Sequence, residues 1–237
     1  MEFTPLGRVH TCFKEKFGIP RQPNLVKQAP GKLVFFPKFA RQEAVRKLDS
    51  FSHIWLLFCF HHAVNKDGDQ TWLPMVRPPR LGGNQKVGVF ASRSPFRPNP
   101  IGMSCVCLES VEITDKGPIL HLSGVDLLDK TPVLDIKPYL PYADVMADAR
   151  DGFAPAPPRT ELEVVFTDQA KKQMARRRDI PDLKKLITEI LENDPRPAYA
   201  AGENTDRVYG TRLFDFNLRF RFHGKQVDVL DLQKDFQ

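Results

Sequence analysis

Four arginines lie in two proline-rich segments, one on each side of a short apolar stretch. The segments are RPPRLGGN at 77–84 and SRSPFRPNP at 92–100, and their polar side chains are Arg77, Arg80, Asn84, Arg93, Arg97 and Asn99. Proline fixes φ and lacks an N–H donor, so such loops are stiff and present their side chains at low entropic cost. Preorganised guanidinium groups bind carboxylates and phosphates. The pattern favours an anion-binding site, although proline could also simply end strands and leave the arginines in water.

Two carboxylates with a three-residue spacing form a second candidate. Asp126 and Asp129 bracket Leu127 and Leu128 in DLLDKTP at 126–132, directly after a predicted strand. Paired carboxylates can perform acid–base chemistry or bind hydroxyl groups, whereas turn aspartates often bond their own backbone. The spacing alone leaves both alternatives open.

Two adjacent histidines, His61 and His62, end the apolar run IWLLFCF at 54–60. Neighbouring strand residues face opposite sides, so the pair cannot jointly bind one metal ion without a bend. We therefore predict no metal site, and we expect one histidine to line a pocket while the other covers its rim. The sequence also lacks a nucleotide-binding glycine loop and a G-x-S-x-G nucleophile elbow.

Alternating apolar residues and Gly, Pro and Asp breaks predict mainly strands in the first part of the chain. The predicted strands lie at 4–11, 33–36, 54–60, 87–91, 103–113, 118–125 and 132–136. One helix is predicted over 41–48, from RQEAVRKL. This spacing favours an antiparallel barrel or sandwich over alternating βαβ units.

The last third of the chain has a different pattern. Residues 146–160 are rich in Ala, Pro and Asp and predict a linker between a domain at 1–145 and a domain at 161–237. Helices are predicted over 167–178 and 181–194, the second with a stripe of leucine and isoleucine. A hairpin turning near Gly224 would carry Arg219 and Arg221 on its polar face. The predicted fold class is mainly β, with a small antiparallel N-terminal β-barrel followed by a smaller α+β domain.

Composition and charge restrict the function. The 237 residues are 41% hydrophobic and 27% charged, which is typical of a soluble globular protein. No apolar run approaches the ~20 residues that span a bilayer, and the N-terminus lacks a signal-peptide core, so we expect a cytoplasmic protein without membrane contact. Residues 20–100 hold 13 Lys or Arg against 4 acids, whereas residues 160–237 hold 14 of each. This patch predicts a polyanionic partner, although it could also be a solvated surface.

Several long segments resemble a known enzyme family. They are PRQP at 20–23, FSHIWLLFCFH at 51–61, VRPPRLGG at 76–83, GVFASRSPFRPNPIGMS at 88–104, DLLDKTPVLDIKPYLPYAD at 126–144 and DPRPAY at 194–199. These segments are similar to those of the TsaA-like, TrmO-type tRNA methyltransferases, which act on N6-threonylcarbamoyladenosine at position 37. The similarity covers nearly the whole chain.

The resemblance implies an enzyme that uses S-adenosyl-L-methionine, is built on a β-barrel rather than a Rossmann fold, and works as a homodimer. The implied substrate is tRNA, with a threonine tRNA expected. By position, the cofactor is expected to contact Pro20, Arg21, Gln22, His61, His62, Arg93, Met103, Asp126, Leu127, Leu128 and Asp129. For tRNA we predict contacts from the arginine loops and the last hairpin, namely Arg77, Arg80, Arg97, Asn99, Arg219 and Arg221.

Some choices stay open at this point. Proton removal from the substrate nitrogen could use Asp126, Asp129 or water. The C-terminal domain is expected to hold the tRNA body or to help close the pocket, and a chain ending near residue 158 is then expected to keep cofactor binding. The alternatives to the enzyme are a non-catalytic basic RNA-binding module, which would need no cofactor, and a metal-dependent hydrolase, which would need a metal ion.

Overall fold

The computed structural model describes residues 2–63, 72–156, 162–197 and 206–234. The first part of the chain forms strands β1 Gly7–Thr11, β2 Gly31–Phe35, β3 His53–Cys59, β4 Met75–Val76, β5 Val87–Gly88, β6 Ile101–Thr114, β7 Gly117–Ser123 and β8 Thr131–Pro138, followed by the short helix α1 Pro141–Asp144. The second part forms β9 Glu163–Phe166, α2 Asp168–Met174, α3 Leu183–Glu192, β10 Val208–Leu213, β11 Phe216–His223 and β12 Gln226–Lys234. Four 3-10 turns lie at Gln42–Val45, Leu48–Ser50, Pro79–Leu81 and Val89–Ala91.

Six strands close into an antiparallel barrel in the order β1-β2-β7-β6-β3-β8. Alternation explains why these segments form strands, because every second residue is buried, as in β3, where Ile54, Leu56 and Phe58 point inward. The barrel closes where β8 pairs with both β1 and β3. The predicted fold class, a mainly β protein with an antiparallel barrel, is confirmed.

The C-terminal part is a four-stranded sheet, β10-β11-β12-β9, in which β9 runs parallel to β12. The predicted hairpin is present as β11 and β12 and turns at Gly224, whose φ is 57°. The predicted apolar stripe of α3 is also present, since Leu186, Ile187 and Ile190 are buried. Thr167 caps α2, its Oγ1 accepting a hydrogen bond from the Ala170 backbone N–H at 3.1 Å.

The predicted helix over 41–48 is wrong. The segment forms only two 3-10 turns, Gln42–Val45 and Leu48–Ser50. Lys47 between them has a φ of 64°, and Val45 is the buried residue of the first turn. A left-handed residue and so little apolar burial cannot sustain an α-helix.

The predicted strand over 87–91 is also wrong beyond its first two residues. After β5 the chain enters the 3-10 turn Val89–Ala91. Side chains take over the backbone carbonyls there: Ser92 Oγ donates to the Val89 carbonyl oxygen at 2.8 Å, and Arg97 Nη1 donates to the Ser92 carbonyl oxygen at 2.7 Å. Such bonds compete with a strand ladder.

One hydrophobic core runs through both parts of the chain. Phe13, which follows β1, is fully buried and forms a β-bridge with Leu213 of the C-terminal sheet. The Phe214 backbone N–H also donates to the Cys12 carbonyl oxygen at 2.8 Å. The expectation that a chain ending near residue 158 keeps its pocket conflicts with this packing, because truncation would expose Phe13. Residue 158 itself lies outside the described residues.

Among the described residues, every helix is too short or too polar to span a bilayer.

Candidate functional site

The barrel has a cavity of about 600 Å³ at one end. β1, β3 and β7 finish at this end, and β2, β6 and β8 start there, so the connecting loops converge around the opening. Its walls come from five stretches of chain, at 16–22, 58–63, 92–97, 101–104 and 126–131. A cavity of this size suits a cofactor or drug-sized ligand.

Aromatic rings form part of the cavity wall. The Phe58 and Phe60 rings meet edge to face with their centroids 5.1 Å apart, at the end of β3. Gly102 on the paired strand β6 makes room for the Phe58 ring, since a Cβ at this position would collide with the ring atoms. Rings of this kind offer a flat apolar surface to a bound heterocycle.

Asp126 provides a carboxylate inside this apolar setting. Its Oδ1 accepts a hydrogen bond from the buried Ser104 hydroxyl at 2.6 Å. Burial raises the pKa of Asp126 to about 6, while the Ser104 bond and the nearby Arg93 charge act in the opposite direction. Asp126 is the carboxylate-bearing residue among the described lining residues.

Asn24 holds two of the wall segments together. Its backbone N–H donates to the Gly124 carbonyl oxygen at 2.9 Å, and its side-chain Nδ2 donates to the Cys105 carbonyl oxygen at 3.0 Å. Asn24 has a φ of 63° and Gly124 a φ of 70°, which are the left-handed conformations that Asn and Gly tolerate best. The stretch 20–22 is thereby fixed relative to the stretch 126–128.

Two arginines contribute positive charge to the cavity and donate to neutral acceptors. Arg93 Nη1 donates to Gln22 Oε1 at 2.5 Å, which links the proline-rich loop to the stretch 20–22. Arg21 Nη2 donates to the Arg196 carbonyl oxygen at 2.8 Å. Both guanidinium groups remain cationic and are available to an anionic group of a ligand.

Arg97 supports the loop that carries it. Its Nη1 donates to the Ser92 carbonyl oxygen at 2.7 Å and to the Val89 carbonyl oxygen at 3.4 Å. Its guanidinium group also lies 5.8 Å from the centre of the Phe90 ring. Arg97 lines the cavity, but part of its hydrogen-bonding capacity stabilises the loop itself.

Both histidines line the cavity, in contrast to the expectation that only one would do so. The strand β3 ends at Cys59, so His61 and His62 lie in a turn and no longer face opposite sides. Their rings meet edge to face with centroids 4.4 Å apart. Burial, followed by the charges of His62, Arg8 and Lys16, lowers the pKa of His61, which keeps this ring neutral near pH 7.

Asp129 does not face the cavity, although the sequence grouped it with Asp126. Its Oδ1 accepts from the Thr11 backbone N–H at 2.9 Å, and its Oδ2 accepts from Lys14 Nζ at 2.7 Å. Burial opposes ionisation, but the bonds from Lys14 and Thr11 hold the pKa of Asp129 below its usual value. The chain turns between the two aspartates, where Lys130 has a φ of 65°, and this turn separates their side chains.

The other predicted site residues divide into two groups. The structure places Pro20, Arg21, Gln22, Arg93, Arg97, Met103, Leu127 and Leu128 on the cavity wall together with Asp126 and the two histidines. Arg77, Arg80 and Asn99 are exposed outside it. Arg219 and Arg221 lie on β11, and Arg219 Nη1 forms an ion pair with Asp231 Oδ2 at 3.4 Å.

Sequence reasoning missed several lining residues. They are Lys16, Ile19, Phe58, Phe60, Ala63, Ser92, Pro95, Phe96, Ile101, Gly102, Ser104 and Thr131. A signal existed for Ser104, because the strand alternation of β6 places it inward beside the barrel core. No group of three or more metal-binding side chains occurs within the described stretches of the chain.

Comparisons with known proteins were made on the whole chain. Residues 8–145 match the family description "tRNA-methyltransferase O N-terminal domain", and residues 159–235 match "TrmO C-terminal domain". The tRNA (adenine(37)-N6)-methyltransferase of Escherichia coli strain K12 is 46% identical, over 98% of this chain and 97% of the relative. A Pseudomonas aeruginosa protein named "Putative S-adenosylmethionine-dependent methyltransferase RcsF" is 48% identical, over 97% of this chain and 96% of the relative.

Solved structures agree. One described as "Crystal structure of TrmO" superposes with a TM-score of 0.79 at 42% identity, covering 98% of this chain and 99% of that chain. "Crystal structure of TrmO from Pseudomonas aeruginosa" superposes with a TM-score of 0.78 at 41% identity, covering 98% of this chain and 97% of that chain.

Proposed function

The chain belongs to the tRNA-methyltransferase O family, and we propose that it methylates N6 of the threonylcarbamoyladenosine next to the anticodon of threonine tRNA. At the coarser level it is an S-adenosyl-L-methionine-dependent tRNA adenine(37)-N6-methyltransferase, as its full-length relatives are named. The observation that carries the proposal is the barrel-end cavity, in which one buried carboxylate, two arginines and several rings converge.

The residues of this cavity fit S-adenosyl-L-methionine chemically. The cofactor carries a sulfonium and an ammonium cation, a carboxylate and an adenine ring. Asp126 would attract a cation, Arg21 and Arg93 would attract the carboxylate, and the rings of Phe58 and Phe60 would pack against apolar parts. The raised pKa of Asp126, caused by burial, indicates a carboxylate that lacks a full counter-charge and gains from a cationic ligand.

When bound, the cofactor supplies a methyl group that is already activated on its sulfonium sulfur, so the protein needs no covalent nucleophile. The residues of the chain orient and shield the reacting groups. Asn24 and the Gln22–Arg93 bond fix the cavity walls, and Phe58 and Phe60 exclude water from its interior. Fixed orientation and exclusion of water together contribute several kcal/mol.

The substrate nitrogen must also lose a proton. Asp126 lines the cavity with a pKa of about 6, raised by burial, which is suitable for a general base near neutral pH. Asp129 is held by Lys14 and the Thr11 backbone outside the cavity. We therefore retain Asp126 as the candidate base, with release of the proton to water as the alternative.

The tRNA is proposed to approach from the side of the arginine loops. Arg77 and Arg80 are exposed, and Arg97 lies at the cavity wall with Asn99 nearby in the chain. Phosphate contacts of this kind fix the orientation of the RNA before the reaction. Arg219 and Arg221 extend the proposed contact surface to the C-terminal sheet.

We also propose that the protein acts in the cytoplasm as a homodimer. Large apolar side chains are exposed around the cavity opening, among them Phe90, which is 75% exposed, and Met103, which is 52% exposed. Exposed apolar groups of this size in one area are typical of an interaction surface. Light scattering after gel filtration should give twice the mass of the 27.1 kDa chain, and a monomer at micromolar concentration would contradict the dimer.

Mass spectrometry of tRNA nucleosides tests the substrate and the reaction together. A strain that lacks this gene should lose one methylated threonylcarbamoyladenosine, and its unmethylated precursor should accumulate. The wild-type gene should restore the methylated nucleoside. An unchanged nucleoside profile would contradict the proposal.

Calorimetry separates the enzyme from a basic RNA-binding module. An enzyme of this kind binds S-adenosyl-L-methionine in the absence of RNA, whereas a module that only binds RNA shows no heat. Absence of binding over a micromolar to millimolar range would favour the module.

A further inference from the structure

We propose that the Asp194–Arg196 pair of the C-terminal part is a positioning device for the cofactor pocket, acting through Arg21 on the barrel side. This inference rests on the proposal that the barrel-end cavity binds S-adenosyl-L-methionine. Asp194 and Arg196 lie outside the cavity wall, so their role is indirect. The connection is the hydrogen bond of 2.8 Å from Arg21 Nη2 to the Arg196 carbonyl oxygen.

The pair itself is fixed unusually well for residues at the end of a helix. Arg196 Nε donates to Asp194 Oδ1 at 2.9 Å, and Arg196 Nη2 donates to Asp194 Oδ2 at 2.8 Å, which is a bidentate contact. The Arg196 guanidinium carbon lies 3.6 Å from the centre of the Phe222 ring, and the side chain is only 3% exposed. This packing fixes the side chain of Arg196 and therefore the backbone that presents its carbonyl oxygen.

Neighbouring residues bind the same barrel segment. Asn193 Nδ2 donates to the Leu25 carbonyl oxygen at 3.1 Å, and Glu189 Oε2 accepts from the Gln28 backbone N–H at 2.9 Å. Together with Arg21, these contacts attach residues 21–28 to the end of α3 at three points. The stretch 20–22 is part of the cavity wall, so the C-terminal part sets the position of that wall.

A second pair in the same region provides a matched control. Arg177 and Asp179 have the same two-residue spacing and a bidentate contact at 2.9 and 2.8 Å. Arg177 also lies 5.3 Å from the centre of the Phe216 ring, as Arg196 lies over Phe222. The other described ion-pair partner of Arg177 is Asp215, which also belongs to the C-terminal part. Arg177→Lys therefore disturbs the same kind of contact without touching the segment 21–28.

The experiment compares Arg196→Lys with Arg177→Lys in the full-length protein by calorimetry with S-adenosyl-L-methionine. The Arg21 bond contributes the net free energy of one hydrogen bond, so Arg196→Lys should raise the Kd about three- to tenfold. Arg177→Lys should leave the Kd within about twofold of the wild type, which is smaller than the value of one such bond. Hydrogen exchange of the amides of 21–28 should become faster only in Arg196→Lys. Thermal unfolding identifies the temperature at which both variants are folded.

Non-additivity gives the sharpest result. In an Arg21→Met background, Arg196→Lys should raise the Kd no further, because the connecting donor is already absent. An equal Kd for Arg196→Lys and wild type, or the same loss in both backgrounds, would overturn the inference. If Arg196→Lys does not fold, Asp194→Asn takes its place. Arg93→Ala distinguishes the two proposals, because an unchanged Kd in that variant would place the fault with the cavity rather than with the Asp194–Arg196 pair.

Discussion

The arginines of the barrel pocket differ from those of the C-terminal sheet in their partners. Arg93 and Arg21 donate to neutral acceptors, an amide oxygen and a backbone carbonyl. The C-terminal part instead pairs arginines with aspartates, as in Arg177–Asp179, Arg196–Asp194 and Arg219–Asp231. A guanidinium neutralised by a fixed carboxylate mainly stabilises the fold, whereas one with a neutral partner still attracts anions.

This difference explains the uneven charge of the sequence. Residues 160–237 contain 14 basic and 14 acidic side chains, and the aspartates of this region lie beside its arginines. Residues 20–100 contain 13 basic and 4 acidic side chains, and this segment includes Arg21 and Arg93. The comparison assigns ligand binding to the barrel end and support of that site to the C-terminal part.

The largest effect is expected at Asp126. Asp126→Asn should raise the Kd for S-adenosyl-L-methionine at least about 30-fold, because removing one member of a buried charge pair costs about 2–5 kcal/mol. The same change should stabilise the unliganded protein at pH 8. Burial raises the folded-state pKa of Asp126 to about 6, so the ionised form opposes folding above that pH, by about 1–3 kcal/mol.

Calorimetry and thermal unfolding measure these two effects. Weaker binding together with a higher melting temperature identifies a carboxylate that serves binding at the expense of stability. If Asp126→Asn binds the cofactor as tightly as the wild type, Asp126 has no part in the site.

The next effect is expected at Arg93. Arg93→Ala should raise the cofactor Kd at least about tenfold, which corresponds to about 1.4 kcal/mol. The exposed position of Arg93 means that the fold should remain intact. Arg219→Ala is the control from the C-terminal sheet and should leave the Kd nearly unchanged, because its charge is paired with Asp231. Equal losses in both variants would remove the difference between the two regions.

A pH series gives a further test of the pocket. Protonation of Asp126, whose pKa burial raises to about 6, removes its attraction for a cation, so affinity should fall by roughly tenfold per pH unit below 6. His61, whose pKa burial lowers, gains positive charge only at lower pH and acts in the same direction. Asp126→Asn should bind with a flatter pH profile. A wild-type profile that is flat between pH 5 and 8 would contradict the assignment.

The smallest effects concern tRNA affinity. Replacing Arg77 and Arg80 together by Gln should lower the slope of log Kd against log salt by about 1–2, because exposed arginines displace counterions from phosphates. Arg219→Gln with Arg221→Gln should change the slope less, since Arg219 faces Asp231 and Arg221 pairs in register with Asp228. Filter binding at several salt concentrations measures both. A larger change from the second pair would show that the C-terminal sheet carries the main tRNA contact.

How far the sequence predicts this structure depends on the kind of signal. Two-residue alternation correctly predicted β3 and β11, because a buried face imposes the pattern residue by residue. It failed at Val89–Ala91, where side chains of Ser92 and Arg97 bind backbone carbonyls, a contact that leaves no periodic trace. It failed again at Lys47, whose left-handed backbone interrupts a pattern that is typical of a helix.

The site shows the same division. The family resemblance indicated Asp126 and Asp129 together, but the turn at Lys130 separates them, and no spacing rule predicts its direction. Ser104, which donates to Asp126, could have been predicted from the alternation of β6. The Arg21–Arg196 contact joins residues 175 positions apart, and such a contact requires the tertiary structure.

The most direct test of the central claim is a crystal structure of the full-length protein with S-adenosylhomocysteine, the product of methyl transfer. The account predicts that the product lies in the barrel-end cavity, in contact with the stretch 20–22 and with Asp126, and that Arg93 reaches its carboxylate. Binding of the product elsewhere, with the cavity free of it, would contradict the account.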